Sequence, residues 1–216
     1  MPAISNIDLS RYRAPSRRFF ARDVLTVAKQ ILGSYLFHDL PEGRVGGMIV
    51  EAEAYSQFND PGCHAYKGMT NRNRAMFGYP GHAYTYFTYG NHWMFNVVAE
   101  KEGHGCAVLI RALQPIEGID LMWSRRPKAK REIDLCNGPG KLAVALGIGK
   151  EQYGVDLIDS PLRILIPTTA YRNSIIRKYG GIVQTTRIGL SAGGELLHRF
   201  YLAEHPCVSV RSKSKE

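Results

Sequence analysis

Two aromatic runs, Ala83–Thr88 and His92–Val98, stand on either side of Gly90 and Asn91. Strand-forming residues around a dipeptide that tolerates positive φ make a β-hairpin, which commits this part of the chain to antiparallel pairing. Two registers are open. If Gly90 and Asn91 form a two-residue loop, Tyr86 pairs with Phe95, and Tyr86 and Asn96 fall on opposite faces. If Tyr89, Gly90 and Asn91 form the loop, Tyr86 pairs with Met94 and Tyr84 with Asn96; Tyr86 and Asn96 then share a face, with Tyr89 at the tip. A large aromatic at such a tip is hard to bury within its own chain and suggests a wedge inserted elsewhere. Phe87, Trp93 and Phe95 are expected in the core.

Elsewhere, the spacing of Val24, Leu25, Ala28, Ile31 and Leu32 predicts a helix over Arg22–Leu32, stopped by Gly33. Strands are predicted at Tyr35–Leu40, Met48–Tyr55, Cys106–Leu113, Val155–Asp159, Leu162–Ile166, Thr186–Leu190 and Phe200–Leu202, and helices at Gly118–Trp123 and Gly138–Leu146. Residues 56–82, rich in Gly, Pro and Asn, read as loop with a short helical turn at Asn73–Phe77. No repeat or linker divides the 216 residues, a length that suits one domain over 1–216, with ends at about 1–15 and 211–216 expected to fray. The sum is an α+β domain whose sheet is largely antiparallel.

On Met48–Tyr55 a period of two puts Met48, Val50, Ala52 and Ala54 on one face and Ile49, Glu51, Glu53 and Tyr55 on the other. Two carboxylates thus share a face with a tyrosine. The pattern fits an edge strand with a solvated face, since Glu is mostly exposed. It also fits a desolvated Glu beside a cavity, able to act as a general base. The strand alone does not decide.

His64 lies in a loop between Gly62 and Gly68 with no second His or Cys at ligand spacing, so a metal is not indicated. Thr70-Asn71-Arg72-Asn73-Arg74 joins two guanidinium groups to short polar side chains, either a solvated loop or a set of phosphate contacts. The charge balance, 28 Lys and Arg against 19 Asp and Glu for a net +9 attractive to polyanions, brings the phosphate reading level with the solvated one. Cys63, Cys106, Cys136 and Cys207 are scattered without a CxxC pair, which argues against a zinc finger or disulfide scaffold. No apolar run approaches the roughly 18 residues of a membrane span, and the first residues lack the pattern of a secretion signal.

Taken in order, Glu51-Ala-Glu53-Ala-Tyr55, His64, Asn71-Arg72-Asn73-Arg74-Ala-Met-Phe77, Tyr84-Thr-Tyr86-Phe-Thr-Tyr89-Gly90, Leu109-Ile-Arg111-Ala-Leu-Gln-Pro115, Gly138-Pro-Gly-Lys141-Leu142 and Arg187-Ile188-Gly189-Leu190 resemble the alkyladenine (3-methyladenine) DNA glycosylase family. Each motif is weak, but the ordered series is specific and spans about Arg22 to Val210. The resemblance implies a curved, open-barrel-like sheet flanked by helices with a protruding hairpin. It implies a monofunctional enzyme that flips alkylated or deaminated purines (3-methyladenine, hypoxanthine, ethenoadenine) from double-stranded DNA and hydrolyses the N-glycosidic bond, leaving an abasic site for base excision repair. In that reading Glu53 deprotonates the water, with Arg111 and the Ile188 carbonyl helping to hold it. Tyr55, His64 and Tyr86 wall the base pocket, Asn96 crowds the amino group of normal guanine, and Tyr89 fills the vacated position in the duplex.

The same resemblance assigns Arg72, Lys141, Lys150 and the Gly189 amide to DNA contact, and implies no metal and no organic cofactor. It requires Tyr86 and Asn96 on one side, hence the three-residue loop. His92 and Met94 depart from the vertebrate relatives on the second hairpin strand, which puts the individuality of this chain in its lesion preference. Without the long N-terminal extension of those relatives or a basic nuclear-import run, the chain is expected to be a bacterial-like cytoplasmic monomer acting on nucleoid DNA.

Overall fold

The computed structural model describes residues 8–88 and 90–212. In chain order the elements are β1 (Tyr12–Arg13), α1 (Arg17–Phe20), α2 (Val24–Gln30), β2 (Tyr35–Leu40), β3 (Gly43–Tyr55), β4 (Ala83–Thr88), β5 (His92–Val98), β6 (Ala107–Glu117), α3 (Ile119–Arg125), α4 (Pro139–Ala145), β7 (Leu162–Pro167), α5 (Thr169–Lys178), β8 (Ile182–Thr185) and β9 (Arg199–Leu202). Among the described residues nine strands form one sheet in the order β1-β7-β2-β3-β6-β5-β4, with β9 attached to β3 and β8 to β9. Every pairing among these strands is antiparallel. The sheet does not close on itself, as the expected open, largely antiparallel α+β architecture requires. Among the described residues no helix is long and apolar enough to cross a membrane.

β3 is central. One stretch of it, Gly43–Met48, pairs with β2, and Glu51–Glu53 pairs with β9, while β6 pairs along most of its length. Every residue from Val45 to Ala54 is buried, so the alternative of a solvated edge strand does not hold. Alternate residues of the neighbouring strands divide between two apolar clusters. Ala54, Ala83, Val97 and Val108 join the main core beneath α2 and α4, whereas Tyr55, Tyr84, Val98 and Ala107 join a smaller cluster with Cys63, Ala65 and Met76. Thus the long loop over 56–82 covers the second face of the sheet. Its single 3-10 turn, Arg74–Phe77, falls within the stretch expected to be helical.

The hairpin register is settled: Thr88 pairs with His92, Tyr86 with Met94 and Tyr84 with Asn96, leaving residues 89–91 between the strands. Phe95 is fully buried as expected, but Phe87 is 47% exposed against a half-buried Trp93. Phe87 and Trp93 pair with each other on the side of the hairpin away from Tyr86 and Met94, where main-core packing reaches Trp93 but not Phe87.

Two predicted strands are absent. Along Val155–Asp159 the Asp156 carboxylate accepts the amide of Ile158 (3.0 Å), a local turn that competes with a ladder and leaves one bridge, His82 to Asp156. Along Thr186–Leu190 the Ile188 amide donates to the Glu53 side chain in place of a ladder partner, and the strand lies earlier, at β8. Elements beyond those expected include α1, which buries Phe20, as well as α5 and β1. α5 buries only Ile175 and therefore lacks a clear apolar stripe, yet the Thr168 side chain caps its N-terminus by accepting from the Tyr171 amide. β1 pairs Tyr12 and Arg13 with Pro167 and Ile166, within the end expected to fray.

Candidate active site

Glu53 is fully buried and accepts three hydrogen bonds: from the Tyr55 hydroxyl (2.8 Å) and Arg111 Nη1 (3.1 Å) on Oε2, and from the Ile188 amide (2.9 Å) on Oε1. Arg111 also donates through Nε to Glu51 (3.1 Å), which accepts a second charge-assisted bond from Arg199 Nε (2.7 Å). Two buried carboxylates are therefore matched by two guanidinium groups, as burial of charge demands.

The geometry comes from a pair of β-bulges. Ile49 pairs with Leu113, Glu51 with Ala112 and Ala52 with Ile110, so Val50 is the extra residue on β3 and Arg111 the extra residue on β6. A bulge re-aims its side chain. Here Arg111 reaches both carboxylates at once, and beyond the bulges the regular ladder keeps Glu53 and Tyr55 on one face.

Burial, and next the charge of Glu53, push the Tyr55 hydroxyl well above its ordinary pKa, which keeps it a donor. Burial opposes the charge on Arg111, but Glu53 and Glu51 outweigh it and hold its pKa above the usual value. His64 is pushed below its ordinary pKa of 6.5 by burial first and then by Arg72, so its ring is neutral at pH 7. Its Nδ1 is 2.9 Å from the Tyr84 hydroxyl, and its ring meets Tyr86 edge-on at 4.5 Å.

Two adjoining cavities share Tyr55, Gly62, His64, Tyr86 and Leu190. The inner one, about 60 Å³, reaches Tyr84 and Asn96, and the outer cleft, about 440 Å³, reaches Arg111, Ile188 and Gly189. Asn96 is fixed there by a bond from Nδ2 to the Tyr84 carbonyl (3.0 Å). Glu53 sits behind Tyr55, Arg111 and Ile188, all three of which line the cleft. Gly189 has φ +75°, a left-handed conformation that turns the chain just after Ile188 and suits glycine.

The sequence-predicted residues Glu53, Tyr55, His64, Tyr86, Asn96, Arg111, Ile188 and Gly189 thus gather at one place. Met94, singled out on the second hairpin strand, lines the cleft too, while His92 packs against Gly140, where a Cβ would lie 2.9 Å from its ring. The positions assigned to DNA contact lie around this centre. Arg72 sits over the Tyr86 ring (5.3 Å) and shares a groove of about 510 Å³ with Lys150, Phe87 and Trp93. Lys141 donates to Asn137 (2.7 Å) in the first turn of α4, whose Pro139 lines the cleft. Tyr89, the expected wedge, lies outside the described residues.

Three contributors escaped sequence reasoning. Asn73 is buried, and its side chain ties Thr70, Gly68 and His64 backbone groups together, so it builds the His64 loop instead of contacting phosphate. Asp60 and Arg187 form a bidentate ion pair (2.5 and 2.6 Å) with both side chains fully buried. Asp60, in Asn59-Asp60-Pro61-Gly62, carries only the signal of a turn, and Arg187 sits in a run that reads as a strand.

Comparison with known proteins gives one answer. The methylpurine-DNA glycosylase family pattern matches residues 18–206. A protein of Carboxydothermus hydrogenoformans is 47% identical over 195 residues, covering 90% of this chain and 98% of its own; one of Methanocella arvoryzae is 46% identical over 199 residues, covering 91% and 96%. A third, from Francisella tularensis, is 44% identical over 187 residues, covering 87% and 94%. All three carry the provisional designation 3-methyladenine DNA glycosylase. With the match running through every element that builds the cleft, this chain belongs to the methylpurine-DNA glycosylase family.

Proposed function

We propose that this chain is a monofunctional DNA-3-methyladenine glycosylase, a hydrolase of N-glycosyl bonds, in which Glu53 activates the water that replaces a flipped, damaged purine. The observation that carries the reading is the placement of a buried carboxylate, oriented by three donors, directly behind the walls of an aromatic pocket. A carboxylate offers about four acceptor positions. Tyr55 and Arg111 occupy Oε2 and Ile188 one position on Oε1, so Oε1 keeps one for water.

A base inside the duplex cannot be reached, and extruding it costs a few kcal/mol, least for a damaged nucleotide. Tyr89 fills the gap, while Tyr55, His64 and Tyr86 hold the base and Asn96 excludes normal guanine. The N-glycosidic bond then breaks with its electron pair passing to the base. Water adds to the oxocarbenium-like C1′ and gives its proton to Glu53, whose negative charge also stabilises the sugar cation. Cationic alkylpurines leave unaided and suit an aromatic box, whereas hypoxanthine needs protonation as it departs. A lyase step needs an amine nucleophile, and none of the described residues that line the cleft is a lysine, which supports an abasic product without strand cleavage. Arg72, Lys141, Lys150 and the Gly189 amide hold the DNA backbone, and the enzyme acts as a monomer on nucleoid DNA in the cytoplasm.

The deciding experiment incubates wild type and Glu53→Gln with duplexes carrying a single hypoxanthine, ethenoadenine or alkylated purine and measures free base and alkali-labile sites. Loss of general-base catalysis is expected to slow release about 10²- to 10⁴-fold. Release at the wild-type rate by Glu53→Gln removes Glu53 from its role. No release by wild type from any of these lesions removes the enzymatic reading.

A further inference from the structure

The Arg187 guanidinium lies 4.5 Å from the centroid of the Tyr55 ring. Its side chain is fully buried and lines neither cavity, whereas Tyr55 lines both. One side of the Tyr55 ring thus meets the pocket and another meets a cation. Four hydrogen bonds hold that cation in place: two to Asp60, one to the Ala54 carbonyl (3.0 Å) and one to the Gly193 carbonyl (3.0 Å). Ala54 directly precedes Tyr55, and Gly193 lies in the loop between β8 and β9 that carries Ile188 and Leu190. Gly62 crosses the same point so closely that a Cβ on it would lie 2.8 Å from the Ala192 carbonyl and 3.1 Å from Arg187 Nη2.

An aromatic ring attracts a cation through its negative π-face. A ring that already faces one cation has less to offer a second. The pocket as proposed takes two kinds of base, cationic alkylpurines and neutral deaminated ones, and Tyr55 is one of its walls. A permanent cation beside that wall weakens its attraction for a charged base while leaving stacking on a neutral base intact.

Resting on the proposal that this pocket receives flipped purines, we infer that Arg187, fixed by Asp60, is a positioning residue that sets lesion specificity: it offsets the affinity of Tyr55 for cationic bases and so levels the enzyme between charged and neutral lesions. Arg187 lines neither cavity and acts on the bound base through the Tyr55 ring.

The test compares single-lesion duplexes containing 7-methylguanine, a cation, and hypoxanthine, which is neutral. For wild type, Arg187→Lys, Arg187→Met and the double variant Asp60→Asn/Arg187→Met, kcat/KM is measured on both. The ratio of the two values cancels any loss of folded protein. Arg187→Met is expected to raise the cationic-to-neutral ratio by about three-fold or more, and Arg187→Lys, which keeps a charge near the ring, to stay near the wild-type ratio. Should Arg187→Met fail to fold, the double variant supplies the measurement, because removing both members of a buried pair is milder than removing one. Equal losses on both lesions in the charge-free variants would make Arg187 purely structural and overturn the inference. Absence of release by wild type itself would instead be a failure of the glycosylase reading, seen before any variant is compared, and would take this inference with it.

Discussion

The hydroxyl of Tyr55 donates to Oε2 of Glu53 at 2.8 Å, two residues back along the same strand. A cleft wall and a buried carboxylate are thereby coupled across one pleat of the strand.

Tyr55→Phe separates the two roles of this side chain. The ring stays, but a hydrogen bond to a charged group is lost, typically about 1.5–3 kcal/mol. Single-turnover base release is expected to slow roughly 10- to 100-fold, while affinity for DNA carrying an uncleavable base analogue stays within about two-fold. A parallel loss of affinity would mean that the hydroxyl serves base binding and not the carboxylate.

Arg111→Met leaves Glu51 and Glu53 with one guanidinium between them. Breaking a buried pair in this way costs about 3–5 kcal/mol, read as a lower denaturant midpoint at pH 7. An unchanged denaturant midpoint in Arg111→Met would remove the electrostatic account of Arg111.

His205 reports on acid stability away from the cleft. It is buried, its Nε2 lies 2.9 Å from the Gln114 side chain, and its Nδ1 accepts the Cys207 amide (3.2 Å). Burial, then Lys178 and Arg211, push its pKa down to about 4. Between pH 6.5 and about 4 the unfolded chain binds the proton and the folded one does not, so stability falls with pH through that window, by about 3 kcal/mol in total, and is unaffected above it. His205→Gln should flatten this part of the curve, and an NMR titration of His205 with a midpoint near 6.5 would refute the assignment.

Lys150 is exposed and lines the groove behind Tyr86 together with Arg72. If it neutralises one phosphate, Lys150→Ala weakens binding to damaged and undamaged duplex alike and makes the slope of log K against log salt shallower by about 0.9. Binding isotherms over a range of salt concentrations measure this directly. An unchanged slope would place the DNA elsewhere on the surface.

The strands that frame the cleft were readable because they carry period-two patterning and turn residues. Tyr35–Leu40, Ala83–Thr88 and His92–Val98 stand where the sequence puts them. The register of the hairpin was not readable from its own residues, since either loop length satisfies the backbone. It was decided by the need to bring Tyr86 and Asn96 to one side, a demand of the site. Glu53 alone was equally a solvated strand residue, because nothing local reveals that β2, β9 and β6 flank β3. The Asp60–Arg187 pair was invisible for the same reason: 127 residues separate its members, and each looks ordinary among its neighbours. Long-range pairing of charge, more than local pattern, is what the sequence withheld.

The paired bulges at Val50 and Arg111 make the site sensitive to length as well as to composition. One extra residue on each strand cancels the other, so the ladder falls back into step by Ala52. Loss of a single residue near Val50 would leave the following stretch one place out of phase, presenting Ala54 and Ser56 where Glu53 and Tyr55 now stand. A substitution here can be graded, weaker or stronger; a deletion cannot. The cleft is in this respect a frame as much as a set of side chains, and a one-residue slip would silence it with every functional residue still present.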